Sequence, residues 1–177
     1  KEAIKAITSN PDAPTFENTI VALENSEKVL ARALDTFYPL ESSNSSQEYR
    51  DLDTELSPLL SSINDDIVMN PQLFKRVKAV YEGLASSRLD KEQKKLVKNI
   101  YKNFVQSGAN LTAANQEKLR KLNTEISMLQ LQFSQNLLHE TNNTFVTVDK
   151  LSDLEGLSQA DIDRAAAMAE EHGQKGK

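Results

Sequence analysis

TAANQEKLRKLNTEISMLQLQFSQNLLHETNN, residues 112–143, contains neither glycine nor proline and sustains one apolar repeat along its length. Leu119, Leu122, Ile126, Leu129, Phe133 and Leu137 follow one another at spacings of 3, 4, 3, 4 and 4, which places them on one face of a helix. At ~1.5 Å per residue that helix reaches roughly 45 Å, longer than a small globular domain is wide. Met128, Leu131 and Leu138 add a flanking stripe, wider than one neighbouring helix covers. The pattern predicts a long helix running through the body of an all-α assembly, with partners on two sides.

Outward from this stretch the sequence reads as further helices separated by short stops. Towards the N-terminus, Gly108 supplies a stop for a helix capped by Asp90 and Gln93, whose apolar rows are Leu96, Ile100, Phe104 and Val97, Tyr101, Val105. Before it, Asn70-Pro71 opens a helix that buries Leu73, Phe74, Val77, Val80, Tyr81 and Leu84. Tyr49, Leu52, Leu56, Leu59, Ile63 and Ile67 mark another stripe whose phase survives Pro58, so one kinked helix is expected there. The polar run Ser42-Ser43-Asn44-Ser45-Ser46 reads as a loop. Thr15 caps a helix with Phe16, Ile20, Leu23, Leu30, Leu34 and Phe37 inward, kinked or ended by Pro39. Lys1 to Ser9 reads as a helix end, with Ile4 and Ile7 on its apolar side. Beyond the long stretch, Phe145-Val146-Thr147-Val148 alternates and is β-rich, the one place for a short extended segment. Ser158 then caps a last helix, with Asp161 at its third position and His172 near its negative end.

The totals agree with an all-α class: of 177 residues, five are glycine, five proline and none tryptophan. The absence of cysteine excludes disulfides, thiolate metal sites and cysteine nucleophiles, and fits a reducing compartment. Net charge is −5, with no nucleic-acid footprint. No apolar run approaches the ~20 residues that span a bilayer, and no targeting peptide is visible. A cytoplasmic protein is expected. Because the chain starts without Met and in mid-pattern, a periplasmic or exported one is the alternative.

Catalytic candidates are scarce. His139-Glu140 begins like a metallopeptidase helix, which sets a second His four residues after the first, but that position is Asn143. Asp51, Asp53, Asp65 and Asp66 are paired acids; adjacent helical residues point ~100° apart, so a solvated face is expected. Lys91, Lys94, Lys95, Lys98 and Lys102 form a basic side, and Lys118, Arg120 and Lys121 a second patch, both read as solvation. Tyr49, Tyr81 and Tyr101 fall on apolar stripes and read as core residues. Asn44-Ser45-Ser46, Asn110-Leu111-Thr112 and Asn142-Asn143-Thr144 match the glycosylation sequon at a rate near chance. No catalytic, metal or substrate-binding residue is assigned.

The run Asn10-Pro11-Asp12-Ala13-Pro14-Thr15-Phe16-Glu17-Asn18-Thr19-Ile20-Val21-Ala22-Leu23-Glu24 closely resembles a signature of the thimet oligopeptidase and neurolysin family of zinc metallopeptidases, especially its bacterial peptidyl-dipeptidase and oligopeptidase A branch. Asn115-Gln116-Glu117-Lys118-Leu119 onward through Phe133-Ser134-Gln135-Asn136-Leu137, and Leu154-Glu155-Gly156-Leu157-Ser158 with the Ala-rich helix behind it, are similar to the same family. The resemblance implies that residues 1–177 are a single helical domain, the N-terminal part of a larger two-domain peptidase. There, the catalytic domain of the same polypeptide carries HExxH and a distal Glu that hold zinc. The parent enzyme would take zinc and short peptides, this piece neither metal nor catalytic group, and neither part nucleic acid or membrane. A self-contained helical interaction module is the alternative.

Overall fold

The computed structural model describes residues 1–43 and 46–176. It is all-helical, and no strand occurs among the described residues. In chain order the α-helices are α1 (Glu2–Thr8), α2 (Ala22–Ser26), α3 (Lys28–Ser43), α4 (Gln47–Val68), α5 (Pro71–Glu82), α6 (Lys91–Gln106), α7 (Ala113–Asn143) and α8 (Gln159–Glu171). The chain divides into two compact units, Lys1–Leu131 and Gln132–Lys177.

The core of the first unit is built on α5 and α6. Leu73, Val77, Val80 and Leu84, along α5 and the 3-10 turn that follows it, meet Val97 and Phe104 of α6, and Ile4, Ile7, Ile20 and Leu23 close the other side. Ile20, Leu73, Val77 and Val97 are fully enclosed. An aromatic column reinforces the α5–α6 contact: the rings of Tyr81 and Tyr101 stack at 4.0 Å, and Phe74 lies parallel to Tyr101 and to Phe104. The expected caps are all present. Asn70 Oδ1 accepts from the Gln72 and Leu73 amides with Pro71 at the first helical position, and Asp90 and Gln93 form a reciprocal capping box. Helix α6 ends in a Schellman motif, Ala109 N donating to Phe104 O and Gly108 N to Val105 O, with Gly108 at φ +94°.

Several expectations change. The single helix expected from Thr15 is instead a π-helical turn (Phe16–Val21), α2 and α3, with a break at Glu27. Pro39 does not end α3, which runs on to Ser43. Asp35, four residues before the proline, is exposed, so the carbonyl that loses its helical donor can turn to water. The inward face expected for α3 is covered weakly: Leu34 and Phe37 are half-buried and Leu30 is exposed. Pro58 lies inside an unbroken α4, as the phase of its stripe predicts. Of the polar run at 42–46, Ser42 and Ser43 finish α3, Ser46 is the N-cap of α4, and Asn44 and Ser45 lie outside the described residues.

The second unit comprises the last turns of α7, a 3-10 turn (Leu151–Leu154) and α8. Residues 145–148 take no regular secondary structure. Ser158 caps α8, its hydroxyl accepting from the Asp161 amide. Neither the 3-10 turn nor α8 contains a buried side chain.

Candidate interaction surface

Helix α7 exists with nearly the predicted bounds, yet none of its residues is buried. From Leu122 onward the apolar stripe expected to lie between two partners faces outward, whereas Leu119 is half-buried. In the first unit Leu122 is 53%, Ile126 50% and Leu129 55% exposed. In the second unit Phe133 and Leu137 are exposed as well.

The physical reason is a polar face about a quarter turn round the helix, since successive residues differ by ~100°. Asn123 Nδ2 donates to Asp65 Oδ1 at 2.7 Å, Arg120 Nη2 to Asp65 O at 3.2 Å, and Arg120 Nη1 to Asp66 Oδ1 at 3.0 Å. One turn earlier Gln116 Nε2 donates to Gly108 O at 3.1 Å. Asp65 is 2% exposed, so turning the apolar stripe inward would strip a buried carboxylate of its amide donor. The Asn123 bond to that carboxylate, with the Arg120 bonds to Asp65 O and Asp66 Oδ1, sets the rotation of α7, and Leu122, Ile126 and Leu129 follow it outward.

This corrects the solvated reading of Asp65. Its neighbour Asp66 is exposed as expected, with Arg120 at 3.0 Å and Lys1 at 3.3 Å. Asp51 and Asp53 accept from Gln47 and Ser57 one turn away along α4. Arg120, expected to solvate the helix, is half-buried, whereas Lys118 and Lys121 are exposed. Of the basic side of α6, Lys94 is half-buried and Lys91, Lys95, Lys98 and Lys102 are exposed. Tyr49, Tyr81 and Tyr101 are half-buried. Asp65, Asn123 and Arg120 are brought together across 55 to 58 residues of sequence, beyond the reach of any local motif.

The residues that resemble the family signature form a knot of hydrogen bonds. Asn18 Oδ1 accepts from the Thr15 amide, the Thr19 hydroxyl and Arg76 Nη2, while Asn18 Nδ2 donates to Ala13 O. Arg76, buried on α5, also donates from Nη1 to Asn10 O at 2.9 Å and Asp12 O at 3.1 Å. The guanidinium thereby clamps the proline-containing turn against α5.

His139 is exposed near the end of α7, its carbonyl accepting from Asn143 Nδ2 at 2.8 Å. The ring of His172 lies 4.7 Å from that of Phe145. Among the described residues no three His, Asp or Glu side chains form a group suited to a metal ion. A cleft of about 390 Å³ lies within the second unit between residues 145–151 and α8, lined by Phe145, Val148, Leu154, Ile162 and Ala169. No helix among the described residues is long and apolar enough to cross a membrane.

No family model matches the chain. It is 39% identical over 170 residues to dipeptidyl carboxypeptidase of Escherichia coli (strain K12), an alignment that takes in 96% of this chain and 25% of that protein. It is 26% identical over 176 residues to oligopeptidase A of Salmonella typhimurium, covering 99% of the chain and 26% of the relative. To saccharolysin of Saccharomyces cerevisiae it is 25% identical over 131 residues, 73% of the chain and 18% of the relative. The chain spans about a quarter of the length of the first two of these curated relatives. Similarity that runs through nearly the whole chain, and through the signature that Arg76 clamps, shows that the chain belongs to the thimet oligopeptidase and neurolysin family of peptidases.

Proposed function

We propose that residues 1–177 are the N-terminal helical domain of a zinc-dependent oligopeptidase or peptidyl-dipeptidase, forming one wall of its substrate channel and supplying no catalytic group. The observation that carries this is the alignment of 96% of the chain, at 39% identity, with a quarter of a dipeptidyl carboxypeptidase. A wall that narrows access would select short, unstructured peptides and keep folded proteins away from the chemistry.

Zinc does not fit the residues present. A catalytic zinc takes three protein ligands and keeps an open position, and the described residues bring no such set together. In this reading the metal and the group that activates water belong to the catalytic domain of the same polypeptide. No step of the reaction is assigned to any side chain of residues 1–177.

The test is hydrolysis of short peptides by the chain and by the product of its complete gene, each with and without a zinc chelator. Cleavage by the complete product alone, lost on chelation, is the expected result. Zinc-dependent turnover by residues 1–177, or a gene without HExxH, would overturn the proposal. The outward stripe of α7 also suits a self-contained interaction module, which a stop codon directly after Lys177 would favour.

A further inference from the structure

We propose that a polar cleft in the first unit, between α4, the C-terminal end of α6 and α7, binds a primary ammonium group, the amino terminus of a short peptide or the side chain of a lysine. The cleft, about 370 Å³, is lined by Ser61, Asn64 and Asp65 of α4, Ser107 at the end of α6, and Asn123 and Ser127 of α7. Asp65 is the one charged residue among the described residues of its wall and is 2% exposed. Its Oδ1 accepts from Asn123 Nδ2, while Oδ2 has no donor among the described residues. No cation among them pairs with it either: Arg120 bonds the Asp65 carbonyl and the carboxylate of Asp66, and Lys1 also pairs with Asp66. A buried carboxylate held by one neutral donor is short of a positive partner. A water molecule there would satisfy a lone pair without balancing the charge.

The wall selects an ammonium over other cations. Ser107 Oγ donates to Asn103 Oδ1 and Ser127 Oγ to Thr124 O, so towards the cleft both hydroxyl oxygens can only accept. With Asp65 Oδ2 they make three acceptors, one for each N–H of an ammonium. A guanidinium would set its parallel donors on both carboxylate oxygens, and Asn123 already occupies one of them. Divalent metal ions are held by several carboxylate or imidazole ligands, and the described residues form no such group. The cleft is larger than a bare ion fills and falls within the range of small-molecule sites, which begins at about 300 Å³. Leu119 and Ile126 in its wall can receive an aliphatic stem. Nothing in this chemistry depends on the channel-wall reading.

The test is calorimetric titration of the complete gene product, treated with a chelator so that peptides are not cleaved, at about 0.15 M salt to screen distant charges. The probes are trialanine, N-acetyltrialanine and Nα-acetyllysine amide, which carry an ammonium at the amino terminus, none, and one on the side chain. Asp65→Asn removes the charge with little change of shape. Ser127→Phe fills the cleft and leaves Asp65 in place, so a variant that misfolds leaves the other to decide. Both should weaken binding of trialanine, of Nα-acetyllysine amide or of both about tenfold or more, the affected probe showing which ammonium the cleft takes. Binding of N-acetyltrialanine should stay the same. Asp66→Asn, which removes an exposed charge of the same sign one residue away, should leave all three probes unaffected. Equal affinities in the unaltered protein and both cleft variants overturn the proposal. An equal loss for N-acetyltrialanine, or in Asp66→Asn, also overturns it, because the effect is then not that of an ammonium in this cleft. Absence of zinc-dependent hydrolysis before chelation would sink the peptidase reading and leave this comparison intact.

Discussion

Arg76 is a buried cation whose three hydrogen bonds all go to oxygens of uncharged groups, two backbone carbonyls and one amide. Removing the guanidinium leaves the turn at residues 10–12 without its donors while the aliphatic packing can be kept. Arg76→Met is expected to lower unfolding stability by about 2–4 kcal/mol in urea titration. A change under about 0.5 kcal/mol would contradict the clamp. Asp161 gives a pH-dependent counterpart at the start of α8. The Ser158 hydroxyl, and after it Arg164, hold its carboxyl below the ordinary value of 3.8. Because the folded value is depressed, any contribution to α8 is complete above the ordinary value and is lost as pH falls through the lower folded one. Ser158→Ala should therefore raise the Asp161 value seen in an NMR titration, and an unchanged value would remove the hydroxyl as its cause. The Ser158 cap was legible from residue type and spacing, since donor and acceptor lie three residues apart. The Arg76 clamp was not, because its partners lie 58 to 66 residues away.

Among the elements, α5 and α6 match their sequence patterns and α7 departs from its own. The apolar rows of α5 and α6 are two faces that cover each other, so periodicity and burial coincide. In α7 the same kind of periodicity marks a face without cover in this chain, because a repeat reports which side is apolar and says nothing of what lies against it. The π-helical turn at Phe16–Val21 has no signature in residue type, although its Thr15 cap does. These differences order the mutational costs on α7. Asn123→Ala withdraws the amide donor from the buried Asp65 and should destabilise the chain by about 1–3 kcal/mol. Leu129→Ala, on the outward stripe, should change stability by less than about 0.5 kcal/mol. Denaturant titration of both variants checks the order, and a larger loss for Leu129→Ala would show that the stripe is packed.

For the whole chain, a core confined to the first unit and a second unit without buried side chains in α8 describe a structure with surface left to cover. The chain spans about a quarter of the length of the curated relatives with the longest alignments, and under the proposed function the rest of such a polypeptide would supply the cover. The all-α class followed directly from composition and helical periodicity. The family signature could be recognised in the sequence, whereas its mechanical meaning, a turn tied to α5 through Asn18 and Arg76, required the structure. In the proposed enzyme, residues 1–177 act by restricting access to the reacting centre. The most direct measurement is the cleavage rate of one peptide bond presented by the complete protein's substrate in two forms, as a free short peptide and within a folded host protein. The account predicts cleavage of the free peptide and none of the folded host. Comparable cleavage of both would contradict the wall.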